Sequence, residues 1–550
     1  MAGSVSQATE ARGEWAGPAS ETVQNQPPPF ADFNLAALDA PLREQAAGGE
    51  PAPALLRFGA AWGGADRLAL GRLANENAPR LRTHDPQGRR LGLVEFHPSY
   101  HALMAESSVG GLSASTWQGG SHLARAARLY IVSGVEAGHV CPLTMTHAAP
   151  AALAAAPALS AEWLPRVRAG HYDGRFLPFW EKSGVTLGMG MTEKQGGTDV
   201  RANLSSARPV GGGEYEVAGH KWFFSAPMSD AFLVLAQAPG GLSCFLMPRF
   251  RPDGSLNGLH FQRLKDKLGN RSNASAEVEF DRAFAWGVGE EGRGVATILN
   301  MVQMTRLDCA ASSAGLMRMA LAQALHHARH RTVFGKTLIS QPAMTALLPD
   351  MALEVEGAVA LVMRLARAFD GAATNPQEAA RARLLTPAVK FLVCKLAPGF
   401  IYEAMEALGG NGYVEESPLP RLYREAPVNS IWEGSGNVVA LDLLRAASRE
   451  PEAARALLDA LVKEAGGLAG AHETALSLAA RLAAPDRERQ ARSLAEGLAT
   501  LAAAAALAER APAPIAEAYA ASRLRTGRGM LGTADLGDTA DLLLARAFAA

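Results

Sequence analysis

The chain has 550 residues, 48% of them hydrophobic, which suffices for three or four domains with buried cores. Its 53 basic and 54 acidic side chains leave a net charge of −1, so no global field draws it to nucleic acid or anionic lipid. Four cysteines, Cys141, Cys244, Cys309 and Cys394, stand far apart without CxxC spacing, which excludes a disulfide frame or zinc cluster and points to a reducing cytoplasm.

In chain order, the first stretch is polar and lacks the apolar run of a secretory signal. Residues 1–50 read as a Pro-rich extension, with NQPPPF (25–30) an extended clip. Residues 51–184 read as a helical domain, for HLARAARLYIVSGVEAG repeats apolar residues at three- and four-residue steps. Between 185 and 288 the segments shorten around GGG, PGG and PDG turns, and AFLVLAQ, LSCFLM and AEVEF read as strands of a small β domain. Long helical patterns return over 289–447. The section 448–550 is alanine-rich and helical, and its apolar run LATLAAAAALA is too short to span a bilayer, so no membrane partner is expected.

Four stretches hold candidate site residues. MGMTEKQGGTDV offers Met189, Gly190, Met191, Thr192, Gly197 and Thr198, hydroxyls and exposed backbone N–H groups suited to a polar ring edge or phosphate. KWFFSAP places Phe223, Phe224 and Ser225 where they wall a planar ligand, although aromatic residues in a strand are more often core. RHRTVFGKTLISQP sets Arg331 three residues before Phe334, a guanidinium for pyrophosphate with an aromatic ring nearby. Its GKT is no P-loop, because His330 stands where the first glycine is needed. The fourth stretch contains Gly410 in a GGNG turn and ends in NSIWEGSGN, where Glu433 sits between Trp432 and small residues Gly434, Ser435 and Gly436, followed by Asn437. An acid beside an aromatic ring, with free backbone around it, is either a surface turn or a desolvated base. His171, Asp173 and His220 permit a non-haem iron triad, although such a triplet arises easily among 13 histidines; no metal site is expected.

Together, the order, spacing and wording of these stretches resemble the acyl-CoA dehydrogenase family over roughly residues 120–445. NQPPPF, LGRLANENAP, CPLTMT, MTEKQGGTDV and RLYREAPVNSIWEGSGN bring the resemblance to its AidB-like, alkylation-response branch. The resemblance implies a mainly α fold with a central β domain: an N-terminal helical domain, a β-barrel-like domain and a four-helix bundle, with an extra C-terminal helical domain. It also implies FAD and a homotetramer. Thr192, Thr198, Phe223, Phe224 and Ser225 would then meet the flavin, Arg331, Phe334 and the Gly409–Gly410 turn the adenine part of a neighbour's FAD, and Ser435 and Asn437 its ribose and phosphates. Glu433 falls at the catalytic base, for which desolvation raises the pKa towards neutrality, and Thr305 occupies the alternative position of the base. Trp432 in place of a tyrosine, and Glu406 in place of a glutamine, depart from the common pattern and bear on turnover of ordinary acyl-CoA. The branch also implies weak dehydrogenase activity and non-specific double-stranded DNA binding.

For DNA, residues 446–550 hold 12 basic and 13 acidic side chains, so any contact depends on local clusters, Arg523, Arg525 and Arg528 in SRLRTGRG and Arg487, Arg489 and Arg492 in DRERQAR. The competing expectations are a catabolic acyl-CoA dehydrogenase and a non-catalytic FAD-containing, DNA-protecting protein.

Overall fold

The computed structural model describes residues 23–549. Residues 25–47 lie along the helical body. The ring of Phe30 stacks on Phe33 at 4.7 Å, and His326 donates from its Nε2 to the Pro28 carbonyl at 2.8 Å. The short helix Ala40–Gln45 is capped by Asp39, which accepts from Leu42 N at 2.9 Å. Within NQPPPF, Asn25 turns at φ 54°, and residues 26–29 run without helix or strand, where the prolines supply no backbone N–H for either.

The N-terminal domain contains helices Ala52–Trp62, Ala65–Glu76, Pro98–Val109, His122–Val135, Val140–Leu153 and Pro157–Val167. It is not wholly helical as the periodicity suggested. Strands Arg80–His84 and Arg90–Glu95 form an antiparallel hairpin. The cause is local: Asp85 accepts from Gln87 N and Arg89 N at 2.9 and 2.8 Å, closing a turn within DPQG that a helix cannot continue.

The middle domain is a mixed seven-stranded sheet. Its backbone is the hairpin Ala231–Ala238 with Gly241–Pro248 and the long antiparallel pair Glu214–Ser225 with Ser275–Val288. Strand Leu187–Gly190 joins in parallel beside Ala231–Ala238, with Met189 opposite Leu233. This delivers the MGMTEKQGGTDV loop to the sheet edge. Phe224, Phe232, Phe261 and Phe280 fill the sheet's own interior.

Helices Gly294–His330, Pro342–Gly371 and Pro376–Leu408 form the bundle, and Leu419–Asn429 and Gly436–Arg449 pack against it. The segment Pro376–Gly412 is long and apolar enough to cross a membrane, yet 78% of its most apolar window is buried among neighbouring helices. The fork of Arg125 grips Asp308 at 2.5 and 2.8 Å and ties helix His122–Val135 to the bundle. The final section adds helices Pro451–Glu464, Ala471–Ala483, Ala491–Arg510, Ala513–Tyr519 and Thr539–Ala547. Within Ala491–Arg510 the alanine run is buried, since small side chains let it lie close against the bundle.

Candidate active site

The turn 430–435 passes from helix Leu419–Asn429 to helix Gly436–Arg449 and holds Glu433 at φ 57° and Gly434 at φ 100°. A side chain at φ 57° is strained, and only glycine adopts φ 100° freely, so the turn persists because its surroundings grip it. Lys390, on helix Pro376–Leu408, donates to the carbonyls of Trp432, at 2.7 Å, and of Gly434. Arg306, on helix Gly294–His330, donates to the Glu433 carbonyl at 2.9 Å and to Asp442 at 2.6 Å, and Arg383 shares that Asp442.

With the backbone fixed, the half-buried Glu433 carboxylate has one side-chain bond: Thr305 donates from Oγ1 to its Oε2 at 2.7 Å. Burial raises its pKa, while Thr305, Arg306 and Lys390 favour the charged form and hold the rise in check. Trp432 is oriented by its indole N–H on Asn429 Oδ1 at 3.0 Å, and it packs against a cluster that includes Cys141, Met189, Met191 and Met301. Trp432, the residue beside the acid, is thus seated on an apolar wall built by three domains. Burial pushes the Cys141 thiol up to about 12, and Lys267, close enough to act on that thiol, is brought down to about 8 by burial. A carboxylate whose pKa burial raises, beside an apolar cluster, suits proton abstraction from carbon.

Residues 25–174 match the family of the adaptive response protein AidB N-terminal domain, 188–283 the acyl-CoA dehydrogenase middle domain, and 292–448 the acyl-CoA dehydrogenase C-terminal domain. AidB of Escherichia coli (strain K12) is 50% identical over 455 residues, 81% of this chain and 84% of its own. The chain belongs to the AidB branch of the acyl-CoA dehydrogenase family. It is thus an oxidoreductase of the acyl-CoA dehydrogenase type, with FAD as the family's cofactor. Acyl-CoA dehydrogenase family member 11 of Caenorhabditis elegans is 32% identical over 400 residues, 68% of this chain and 63% of that one. The crystal structure of C. elegans ACDH-11 in complex with C11-CoA superposes with a TM-score of 0.81 at 27% identity, over 97% of this chain and 93% of the other.

In this AidB-branch chain the expected site residues fall into three places. Met189 and Gly190 are buried and Met191 and Thr192 half-buried at the sheet edge, the two methionines sharing the apolar cluster with Trp432, while Gly197 and Thr198 are exposed on the loop beyond. On the strand Glu214–Ser225, Phe223 is 50% exposed and Ser225 half-buried. Phe224 is a correction: strand alternation turns it inward, fully buried with its ring 4.3 Å from that of Phe232, so it does not line a ligand.

The second place joins Arg331, Phe334 and Gly410. Asn25 accepts from Arg331 at 2.8 Å and bonds Thr332 in both directions, and Gln26 accepts from Asn411 at 3.0 Å. Phe334, at φ 50°, is 98% exposed. The third is Ser435 and Asn437, both exposed; Asn437 accepts from Arg492 at 3.0 Å, so that arginine lies beside the turn.

Two of the arginines proposed for DNA are corrected. Arg523 is buried and paired with Asp350 and with Glu354 at 3.1 Å, and half-buried Arg528 is forked on Glu354 at 2.9 Å. Both anchor SRLRTGRG to helix Pro342–Gly371, and Arg525 alone of the three is exposed. The iron triad also fails: Asp173 is engaged by Arg175 and His220 by Lys194 N, and among the described residues no His/Cys/Asp/Glu group is placed to hold a metal. Sequence reading missed Lys390 and Arg306, which act on backbone carbonyls of the turn, and the Asp442–Arg383 pair that braces Arg306, none of which leaves a local motif.

Proposed function

We propose that the chain dehydrogenates an acyl-CoA thioester between its α and β carbons, with Glu433 as the base. The observation that carries this is the carboxylate itself: strained in backbone, raised in pKa by burial, and bonded by one hydroxyl against an apolar wall. The residues at the sheet edge fit the family's cofactor. A Cβ at Gly197 would lie 2.3 Å from Thr192 Oγ1, so glycine lets the loop fold over that hydroxyl, and the half-exposed Phe223 ring and Ser225 hydroxyl suit a planar ring with a polar edge. Bound FAD supplies the hydride acceptor. Glu433 takes the α-proton onto its carboxylate, Trp432 and its apolar neighbours exclude water, and Lys390 and Arg306 keep the turn from yielding.

Anaerobic mixing with a panel of acyl-CoA thioesters tests this. The parent protein bleaches; Glu433→Gln keeps its yellow colour and bleaches about 10²–10⁴-fold more slowly. Equal bleaching by the variant, or parent protein that takes up no flavin, overturns the reading.

The finer reading concerns setting. The exposed apolar side chains Phe334, Tyr413, Val414 and Ile431 favour a homotetramer in which neighbouring copies cover them. Four buried free cysteines suit a cytoplasmic protein. The AidB kinship favours a role in the alkylation response with double-stranded DNA as a salt-sensitive partner, contacted through exposed Arg489 and Arg525. A gel-shift assay at two salt concentrations checks the DNA contact, and no shift at low salt excludes it.

A further inference from the structure

Between the bundle and the final helical section lies a cleft of about 480 Å³, remote in sequence from the Glu433 turn and lined by Arg364, Arg367, Glu378, Glu464 and Glu509. Its walls come from helices Pro342–Gly371 and Pro376–Leu408 on one side and Pro451–Glu464 and Ala491–Arg510 on the other. The pairing is uneven. Arg364 forks Glu378 at 2.7 and 2.9 Å, and Arg381 takes Glu464. Glu509 is left to serve Arg510 at 3.2 Å, Arg367 at 3.3 Å and Arg364 at 3.7 Å.

Among the described residues no other carboxylate lies within ion-pair distance of these four guanidinium groups. The lining itself holds two arginines and three glutamates; with Arg381 and Arg510, which pair with Glu464 and Glu509 at its edge, the network has one guanidinium more than it has carboxylates, and the loosest pairing is that of Arg367 and Arg510 on Glu509. Arg367 has its firm bond on the Gln45 carbonyl at 2.8 Å, and Arg510 on the Ala47 carbonyl at 2.8 Å. Burial, with Arg510 and Arg364 beside it, brings the Arg367 pKa down to about 10. A second anion supplied from solution removes that penalty.

We propose that this cleft binds a small organic phosphate, with the phosphate on Arg367 and Arg510 and the donor groups of its body on Glu464 and Glu509. Paired guanidinium forks match phosphate oxygens. The volume exceeds what an inorganic ion fills and falls within the range of roughly 300–1,000 Å³ used for small organic ligands. Glu464 and Glu509 are only partly buried, with side chains 33% and 41% exposed, so their outer faces are open to hydroxyl or amino donors. Because the walls belong to different sections of the chain, the occupant clamps the final helices to the bundle.

The test uses the purified full-length protein with its flavin, at fixed ionic strength, and reads thermal unfolding and equilibrium dialysis. Adenosine monophosphate is the probe, with orthophosphate and adenosine as separate arms. Adenosine monophosphate is expected to raise Tm saturably, orthophosphate to do so more weakly, and adenosine not at all. Arg367→Gln is expected to weaken binding by roughly 10–100-fold, the range for a hydrogen bond to a charged group, with flavin content unchanged. Arg510→Gln, on the rim, moves the same way and decides the matter if the first variant does not fold. No saturable response to either phosphate, an equal response to adenosine, or parental binding by the folded variants overturns the proposal.

Discussion

Glu433 and Thr305 stand 128 residues apart in sequence, and their 2.7 Å bond sets how readily the acid gives up its proton. The hydroxyl donates to the ionised carboxylate and so favours the charged form, opposing the burial that favours the neutral one. Thr305→Val keeps the shape and removes the donor, so the Glu433 pKa climbs further. Because the base must be deprotonated, the acid limb of the pH–kcat/KM profile moves to higher pH and activity below neutrality falls. A profile from pH 5 to 9 checks this; an unmoved limb removes Thr305 from the account. Trp432 carries a second consequence. Fixed by Asn429, its indole is bulkier than the tyrosine common in the family, so Trp432→Tyr is expected to raise turnover of ordinary acyl-CoA thioesters relative to the parent. Steady-state comparison over a chain-length series reads the result, and a fall across the whole series contradicts it.

Elements were legible where one periodicity dominated. HLARAARLYIVSGVEAG became a helix and AFLVLAQ a strand because core packing and local pattern agree there. RLRTHDPQGRRLGLVE hid a hairpin, since its strands are charged on the open face and only the Asp85 turn betrays them. Glu433 and its glycines were legible through a motif, whereas Phe224 was misassigned because adjacent aromatic residues on a strand face opposite sides and the sequence does not say which side is core. Arg523 and Arg528 looked like a solvent-facing cluster because their carboxylate partners, Asp350 and Glu354, lie more than 160 positions away. The same long-range pairing fastens helices to each other. Arg125 and Asp308 are both almost wholly buried, at 1% and 3% side-chain exposure, so Arg125→Ala leaves a carboxylate stranded with Thr144 as its remaining donor. The expected loss is about 3–5 kcal/mol, read as a lower urea midpoint. A loss under about 1 kcal/mol, the value of an exposed pair, would show that the site is wetter than its geometry implies.

At the scale of the molecule, the two arginines of SRLRTGRG that turn inward separate nucleic-acid binding from architecture. Arg525→Ala leaves stability intact and, if DNA is a partner, weakens binding with a shallower salt dependence. Arg523→Ala instead lowers thermal stability, because Asp350 and Glu354 lose a buried cation. Gel shifts and melting curves on both variants distinguish these roles, and equal melting temperatures would contradict the assignment of Arg523 to the frame. Helix Thr539–Ala547 shows the frame at its widest reach. Its Arg546 forks Glu44, 502 residues earlier, and Arg318 donates both to the Leu38 carbonyl and to the Ala547 carbonyl. During synthesis, then, the segment around Leu38 leaves the ribosome long before its partner exists. Until the helix around Arg546 emerges that segment has only Tyr130 and Arg318 to hold Asp39 and Leu38, so the clasp with Glu44 closes only after the intervening stretch of 502 positions has been made.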